Sequence, residues 1–193
     1  MNSIEPSLTK TEFRKSLLQT RKSLSPEAWR EKSDRICNNL QNSPLFAQAK
    51  TILAYFSCRQ EPHLSTLFTT PKIWGFPRCV GKELSWHTWK PGDTLQTGAY
   101  GILEPLRQSP KIEPSEVDLI LVPAVGCDLR GYRLGYGGGY YDRMLNKAEW
   151  ESKVTIGTIF EFALLAQLPV DSWDRPLHGI CTESSLEIIQ QKS

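Results

Sequence analysis

Apolar positions along this 193-residue chain follow two periods, and the change between them divides the sequence. Thr9 is placed to cap a helix, with Glu12 three residues on completing a capping box. Phe13, Leu17 and Leu18 give that helix an apolar face through about residue 22. Ser25-Pro26 opens a second helix, cap followed by proline in the first turn. Trp29, Ile36, Cys37 and Leu40 carry its apolar face to about Gln41. A short helical turn is predicted over 44–48. From there the apolar residues come in compact β-branched and aromatic runs that read as strands: 51–57, 72–80 and 84–89 about a turn at Gly81, 119–122, and 154–159. Short helices are predicted over 63–68, 140–148 and 160–165, with loose tails at 1–8 and 186–193.

Helices first, then strands alternating with short helices, predict an α/β fold, a three-layer αβα arrangement with a mostly parallel central sheet. The length suits one domain, 1–193, able to bury a real core. Hydrophobic content of 39%, charged content of 23% and a net charge of +2 are ordinary for a globular chain and too mild for a nucleic-acid partner. No apolar leader and no 18-residue apolar run is present, so neither a signal peptide nor a membrane partner is expected. The five cysteines, at 37, 58, 79, 127 and 181, are an odd, widely spaced set beside three scattered histidines. They read as reduced thiols of a cytoplasmic protein, not as a disulfide frame or zinc site.

Candidate chemistry concentrates in 118–143. Six of the 13 glycines fall between Gly126 and Gly139, where glycine permits positive φ and close approach of backbone to a ligand. Tyr140, Tyr141, Met144 and Leu145 then recover a helical period, so the loop empties into a helix N-terminus that favours anions. Arg133 and Arg143 flank this cradle and Asp142 sits just inside it, a set that suits a phosphate with a divalent metal. A flexible surface loop is the bland alternative, but linkers are Gly/Ser-rich and polar, whereas this one carries Tyr132, Leu134, Tyr136, Tyr140 and Tyr141. It is no Walker loop, since Gly-Lys-Ser/Thr is absent, and a poor dinucleotide fingerprint, since Tyr140 stands at the third glycine position. Lys10 and Arg14, four apart, share a helix face; they read either as solvated charges or as an anion contact. Glu61, beyond a central strand, is either a solvated loop carboxylate or sits where open α/β sheets bind ligands. Arg78 and Asp174 are equally open between surface or turn roles and ligand contacts.

From Gly131 to Asp142 the chain reads Gly-Tyr-Arg-Leu-Gly-Tyr-Gly-Gly-Gly-Tyr-Tyr-Asp. Preceded by a strand ending in Val-Pro, this run closely resembles the signature of the 5-formyltetrahydrofolate cyclo-ligase (methenyltetrahydrofolate synthetase) family, and the resemblance extends over about 8–185. It implies the cyclo-ligase (NagB/RpiA/CoA-transferase-like) fold, with nucleotide and folate in one cleft at the sheet's C-terminal edge. It implies ATP- and Mg²⁺-dependent closure of 5-formyltetrahydrofolate to 5,10-methenyltetrahydrofolate, by a monomer whose partners are ATP and reduced folate. Lys10, Arg14, Arg133, Leu134, Gly135, Tyr136, Gly137, Gly138, Gly139, Tyr140 and Tyr141 would then meet ATP. Phe56, Glu61 and Tyr100 would meet the folate together with Tyr136, Gly137, Gly138, Gly139 and Tyr140, with Glu104 a further hydrogen-bond candidate. Asp142 and Asp174 would hold Mg²⁺, and Arg133 and Tyr140 would act in catalysis. His178 stands where many relatives carry a second Asp, a departure that puts any role of that carboxylate in doubt. The alternative is a non-catalytic relative that binds ATP or folate and regulates.

Overall fold

The computed structural model describes residues 8–189. Three helices open the chain: α1 (Lys10–Lys22), α2 (Pro26–Gln41) and α3 (Pro44–Gln48). Six strands follow, β1 (Thr51–Leu53), β2 (Ile73–Val80), β3 (Glu83–Thr88), β4 (Leu95–Thr97), β5 (Leu103–Pro105) and β6 (Leu119–Pro123). Short strands β7 (Gly126–Asp128) and β8 (Arg133–Leu134) lead to helices α4 (Tyr140–Leu145) and α5 (Ala148–Glu151). The remainder holds β9 (Val154–Thr158), β10 (Leu164–Leu165), β11 (Gly179–Cys181) and β12 (Leu186–Ile188).

A seven-stranded sheet in the order β12-β11-β9-β6-β1-β2-β3 is the frame. β11, β9, β6, β1 and β2 run parallel, and β12 and β3 close the two edges antiparallel. Buried parallel strands need apolar residues on both faces, and β6 meets that need by alternation. Ile120 and Val122 face a core shared with Leu17 of α1, Met144 of α4 and Trp150 of α5. Leu119 and Leu121 face the opposite core, with Ile36, Cys37 and Leu40 of α2 and Phe46 of α3. Three layers result, as predicted.

Both N-terminal caps form: Thr9 and Glu12 make the capping box of α1, and Ser25 accepts from Ala28 N at the start of α2. Several boundaries differ from expectation. Of the 51–57 run only Thr51–Leu53 pairs as a strand, because beyond it the backbone turns away to line a cavity. The 63–68 helix reduces to a 3₁₀ turn at Leu67–Thr69, and 160–165 is a 3₁₀ turn at Glu161–Ala163 followed by β10. The 140–148 helix is two, with Asn146 the C-cap of α4 and Lys147 the N-cap of α5. The expected C-terminal tail from 186 is corrected: Leu186–Ile188 pairs with β11, since that edge offers unpaired backbone groups and Leu186 and Ile189 have apolar surface to cover. Of the expected N-terminal tail, Leu8 is exposed and 1–7 lie outside the described residues.

Candidate functional site

A cavity of about 600 Å³, a volume usual for small-molecule sites, opens at the C-terminal ends of β1 and β6. Tyr55 and Phe56 from beyond β1 and Pro123 at the end of β6 form its inner wall. Every residue assigned above to nucleotide, folate or metal lines this one space, from Lys10, Arg14, Phe56, Glu61 and Tyr100 to the 133–142 run and Asp174.

The glycine run forms the cradle as its composition requires. Gly137 and Gly139 take φ +95° and +68°, and Gly139 is the left-handed N-cap of α4. α4 spans only six residues, so its dipole is short and the cradle's positive character comes mainly from neighbouring side chains. Arg14 Nε donates to Gly135 O at 2.7 Å, which anchors the cradle to α1. Arg133 pairs with Asp142 and lies over the Tyr141 ring at 5.4 Å. Among the described residues its buried Nε and the buried Tyr141 hydroxyl have no hydrogen-bond partner, so both keep unused capacity beside the cavity. Arg143 donates to Lys82 O and Gly138 O at 2.7 and 3.0 Å and lies over Tyr140.

Lys10 Nζ reaches Asp171 at 2.6 Å and Asp174 at 2.5 Å. Burial lowers its pKa, but the hydrogen bonds and charges of these two carboxylates outweigh that and raise it. Both candidate metal ligands, Asp142 and Asp174, are therefore paired with cations in this structure. Among the described residues no group of three or more His, Cys, Asp and Glu side chains converges to hold a metal. That donor set fits Mg²⁺, which takes one or two carboxylates and completes its shell with phosphate oxygens and water.

At the other end, Glu61 is buried, 2% exposed, not a solvated loop carboxylate. Arg59 and Gln60 take φ +47° and +56°, a left-handed pair that turns the chain back on itself. Cys58 N then donates to Glu61 Oε2 at 3.0 Å, while Ser57 Oγ and Trp29 Nε1 donate to Glu61 O at 2.7 and 2.9 Å. Burial raises the Glu61 pKa; the Cys58 backbone bond and the charge of Arg21 oppose the rise. Phe56 stacks on Phe76 at 4.1 Å and meets Phe68 and Trp89 edge-on. Tyr100, 72% exposed and at φ +61°, stands over the mouth with its hydroxyl 3.4 Å from that of Tyr140.

Arg78 is buried and does not line the cavity; it pairs with Glu104 at 2.9 Å. A surface or phosphate role for Arg78 is thereby corrected. His178 lies outside the lining and half-buried, its Nδ1 2.9 Å from Thr155 Oγ1. At this position the chain has a link to β9 instead of a cavity carboxylate. Sequence reasoning missed Arg59, Asp171 and Trp173 of the lining, and Arg21, buried behind it and donating to the Tyr136 hydroxyl. For Arg21 a signal existed: Lys10, Arg14, Leu17 and Arg21 recur at helical spacing on one face, and an arginine on an apolar face is unusual. Among the described residues no helix is long and apolar enough to cross a membrane.

The cyclo-ligase resemblance holds over most of the chain. The model of the 5-formyltetrahydrofolate cyclo-ligase family matches residues 6–183. A 5-formyltetrahydrofolate cyclo-ligase of Mycolicibacterium smegmatis is 31% identical over 185 residues, covering 90% of this chain and 93% of that protein. One from Escherichia coli K12 is 28% identical over 178 residues, covering 87% and 97%. The NMR structure of the 5,10-methenyltetrahydrofolate synthetase of Aquifex aeolicus superposes with a TM-score of 0.85 at 34% identity, covering 96% of this chain and 95% of that one. A matching family model over nearly the full length, relatives matched over most of their length and a shared fold together establish that the chain belongs to the 5-formyltetrahydrofolate cyclo-ligase family.

Proposed function

We propose that this protein closes 5-formyltetrahydrofolate to 5,10-methenyltetrahydrofolate, with ATP converted to ADP and phosphate. The observation that carries the proposal is one cavity lined at one end by the glycine cradle with Lys10, Arg14 and Arg133, and at the other by Glu61, Phe56 and Tyr100. A single space thus offers a basic, backbone-rich end for phosphates and a carboxylate-and-aromatic end for a flat, hydrogen-bonding ring.

The formyl oxygen is a poor leaving group. In the first step it attacks the γ-phosphorus of ATP; an O–P bond forms, the bridging P–O bond breaks and ADP departs. The folate N10 amine then attacks the activated formyl carbon and loses its proton, and the C–O bond breaks to release phosphate. Phosphoryl transfer of this kind asks the protein for positioning and charge neutralisation. Holding both reactants in place contributes on the order of 7–11 kcal/mol as effective molarity. Arg14 and Arg133 would neutralise phosphate charge, the 135–139 backbone would supply N–H donors, and Tyr140 would lie between nucleotide and folate beneath Tyr100. Glu61 would accept donors from the pterin edge, and Phe56 would bound its face. Asp142 and Asp174 would hold Mg²⁺, which when bound neutralises and orients phosphate oxygens. No covalent enzyme intermediate is proposed: burial raises the pKa of both cavity cysteines, Cys58 to about 12, so neither is a ready thiolate.

The test is absorbance at the methenyl chromophore in a mixture of protein, 5-formyltetrahydrofolate and Mg²⁺, started with ATP. Growth that needs ATP and is lost in Asp142→Ala supports the proposal. No growth by protein that still binds ATP would replace it with a non-catalytic, ligand-binding role.

A further inference from the structure

Seven aromatic residues line the cavity, and six of them already meet another ring, a cation or a buried partner. Tyr55 is buried, its hydroxyl 2.8 Å from Thr158 Oγ1. Phe56 is stacked on Phe76, and the Tyr136 ring lies under the Arg59 guanidinium, 5.3 Å from its centroid. Tyr141 lies under Arg133 and meets Trp86 edge-on. Tyr140 lies under Arg143 and meets Tyr100 edge-on. Trp173 alone has neither ring nor cation against it among the described residues, and it is 59% exposed. A single exposed apolar side chain on open surface needs no explanation. One that lines a ligand cavity offers a bare flat face to whatever enters.

The turn that carries Trp173 is well bonded. Asp174 N donates to Asp171 O at 3.0 Å and Asp171 N to Asp174 Oδ2 at 2.8 Å, which closes 171–174. Asn146 Nδ2 donates to Trp173 O at 2.7 Å, and Arg175 Nε donates to Asn146 Oδ1 at 2.9 Å. Asn146 is the C-cap of α4, the helix that begins at the glycine cradle. From the other side Asp171 and Asp174 hold Lys10 of α1, and Arg14, one turn on, donates to Gly135 O. Trp173 is therefore tied to the cradle end of the cavity. A γ-phosphate that is delivered to the formyl oxygen must face the folate, so the nucleoside extends from the cradle the other way.

We propose that Trp173 is the platform on which the nucleotide base stacks, a binding determinant for the nucleoside half of ATP. The role rests on the cyclo-ligase proposal above, which puts the phosphates in the cradle. It separates the two halves of the nucleotide: the cradle and its cations hold the phosphates, and the 171–174 turn holds the base.

The deciding experiment is calorimetric titration of ATP and of tripolyphosphate, each with Mg²⁺, into wild-type protein, Trp173→Ala and Trp173→Phe. Tripolyphosphate offers three linked phosphates without a base. In Trp173→Ala the ATP affinity should fall about tenfold, the worth of one base–aromatic stack. Tripolyphosphate affinity should change by less than about twofold, and Trp173→Phe, which keeps a ring, should recover most of the ATP affinity. The difference in emission between wild type and Trp173→Phe isolates this indole among the six tryptophans; ATP should quench it and tripolyphosphate should not. If Trp173→Ala does not fold, Trp173→Phe and the quenching decide. Unchanged ATP affinity in Trp173→Ala, equal losses of ATP and tripolyphosphate, or no quenching specific to ATP would overturn the role. Failure of the wild-type protein to bind ATP at all is a different result, and would refute the cyclo-ligase proposal itself.

Discussion

Removing the guanidinium of Arg78 while keeping its bulk, as in Arg78→Met, exposes how the mouth of the cavity is secured. Arg78 on β2 and Glu104 on β5 pair at 2.9 Å with side chains 11% and 8% exposed. Arg78 also donates to Pro105 O, and Gln96 Nε2 donates to Glu104 Oε1 at 3.0 Å. This pair ties the β4–β5 hairpin to the main sheet, and the turn of that hairpin carries Tyr100 across the mouth. Arg78→Met leaves Glu104 buried with one neutral partner. Breaking a buried pair from one side costs about 3–5 kcal/mol, whereas replacing both members is often neutral. For a domain of this size each kcal/mol corresponds to roughly 2–4 °C, so the midpoint should fall by about 6–20 °C. Adding Glu104→Gln removes the stranded charge and should return stability to within about 1 kcal/mol of wild type. Urea unfolding of the four proteins, read by tryptophan fluorescence, measures the cycle. If Arg78→Met unfolds with wild type, or the double variant loses the sum of both singles, the pair does not hold the hairpin and the reasoning fails.

Gly131 has φ +91°, and a Cβ there would lie 2.7 Å from Leu177 O; Gly131→Ala should cost about 2–4 kcal/mol through strain and backbone clash, and an unchanged urea midpoint would contradict the geometry. Glu61 has a raised pKa from burial, so its stability term is fully present below its unfolded value and is lost as pH rises through the folded one. Glu61→Gln should therefore gain stability over wild type as pH increases above about 4.5 while losing folate affinity; a gap that does not vary with pH would count against it. Asp118 accepts from Lys50 N and Thr51 N at 2.8 and 2.9 Å and its pKa is lowered, chiefly by the Thr51 bond. Its contribution is present at neutral pH and lost as pH falls through the lowered value, so Asp118→Asn should lag wild type at pH 7 and meet it only in strong acid. Unfolding of both variants across pH checks this sign.

The sheet was legible where strands are long or buried on both faces: 72–80, 84–89, 119–122 and 154–159 all returned as β2, β3, β6 and β9. It was least legible at short elements whose partners lie far away. β12 is fixed by the edge of β11, and nothing within 186–188 announces that edge. Glycine and aromatic residues mark the cradle because conformational demand is written in residue type. Glu61 could be placed near a strand end, but the left-handed turn at Arg59 and Gln60 that buries it uses residues with no such preference. Arg21 was hidden for the opposite reason, since a charge in a helix reads as solvated until its neighbours are known. The fates of Lys10 and Arg78 also depended on distant partners, Asp171 and Asp174 for one and Glu104 for the other.

Three basic side chains of α1 reach far along the sequence: Arg21 to Ala124, Arg14 to Gly135, and Lys10 to Asp171 and Asp174. A lone helix of 13 residues is marginal in water. During synthesis, then, α1 leaves the ribosome well before the surface it needs and has to wait, weakly formed, until most of the remaining chain has followed. A nascent chain ending before Asp171 can lay down much of the sheet, but it has no carboxylates there for Lys10. The cavity wall contributed by α1 is thus complete only once the chain through Asp174 is present to meet it.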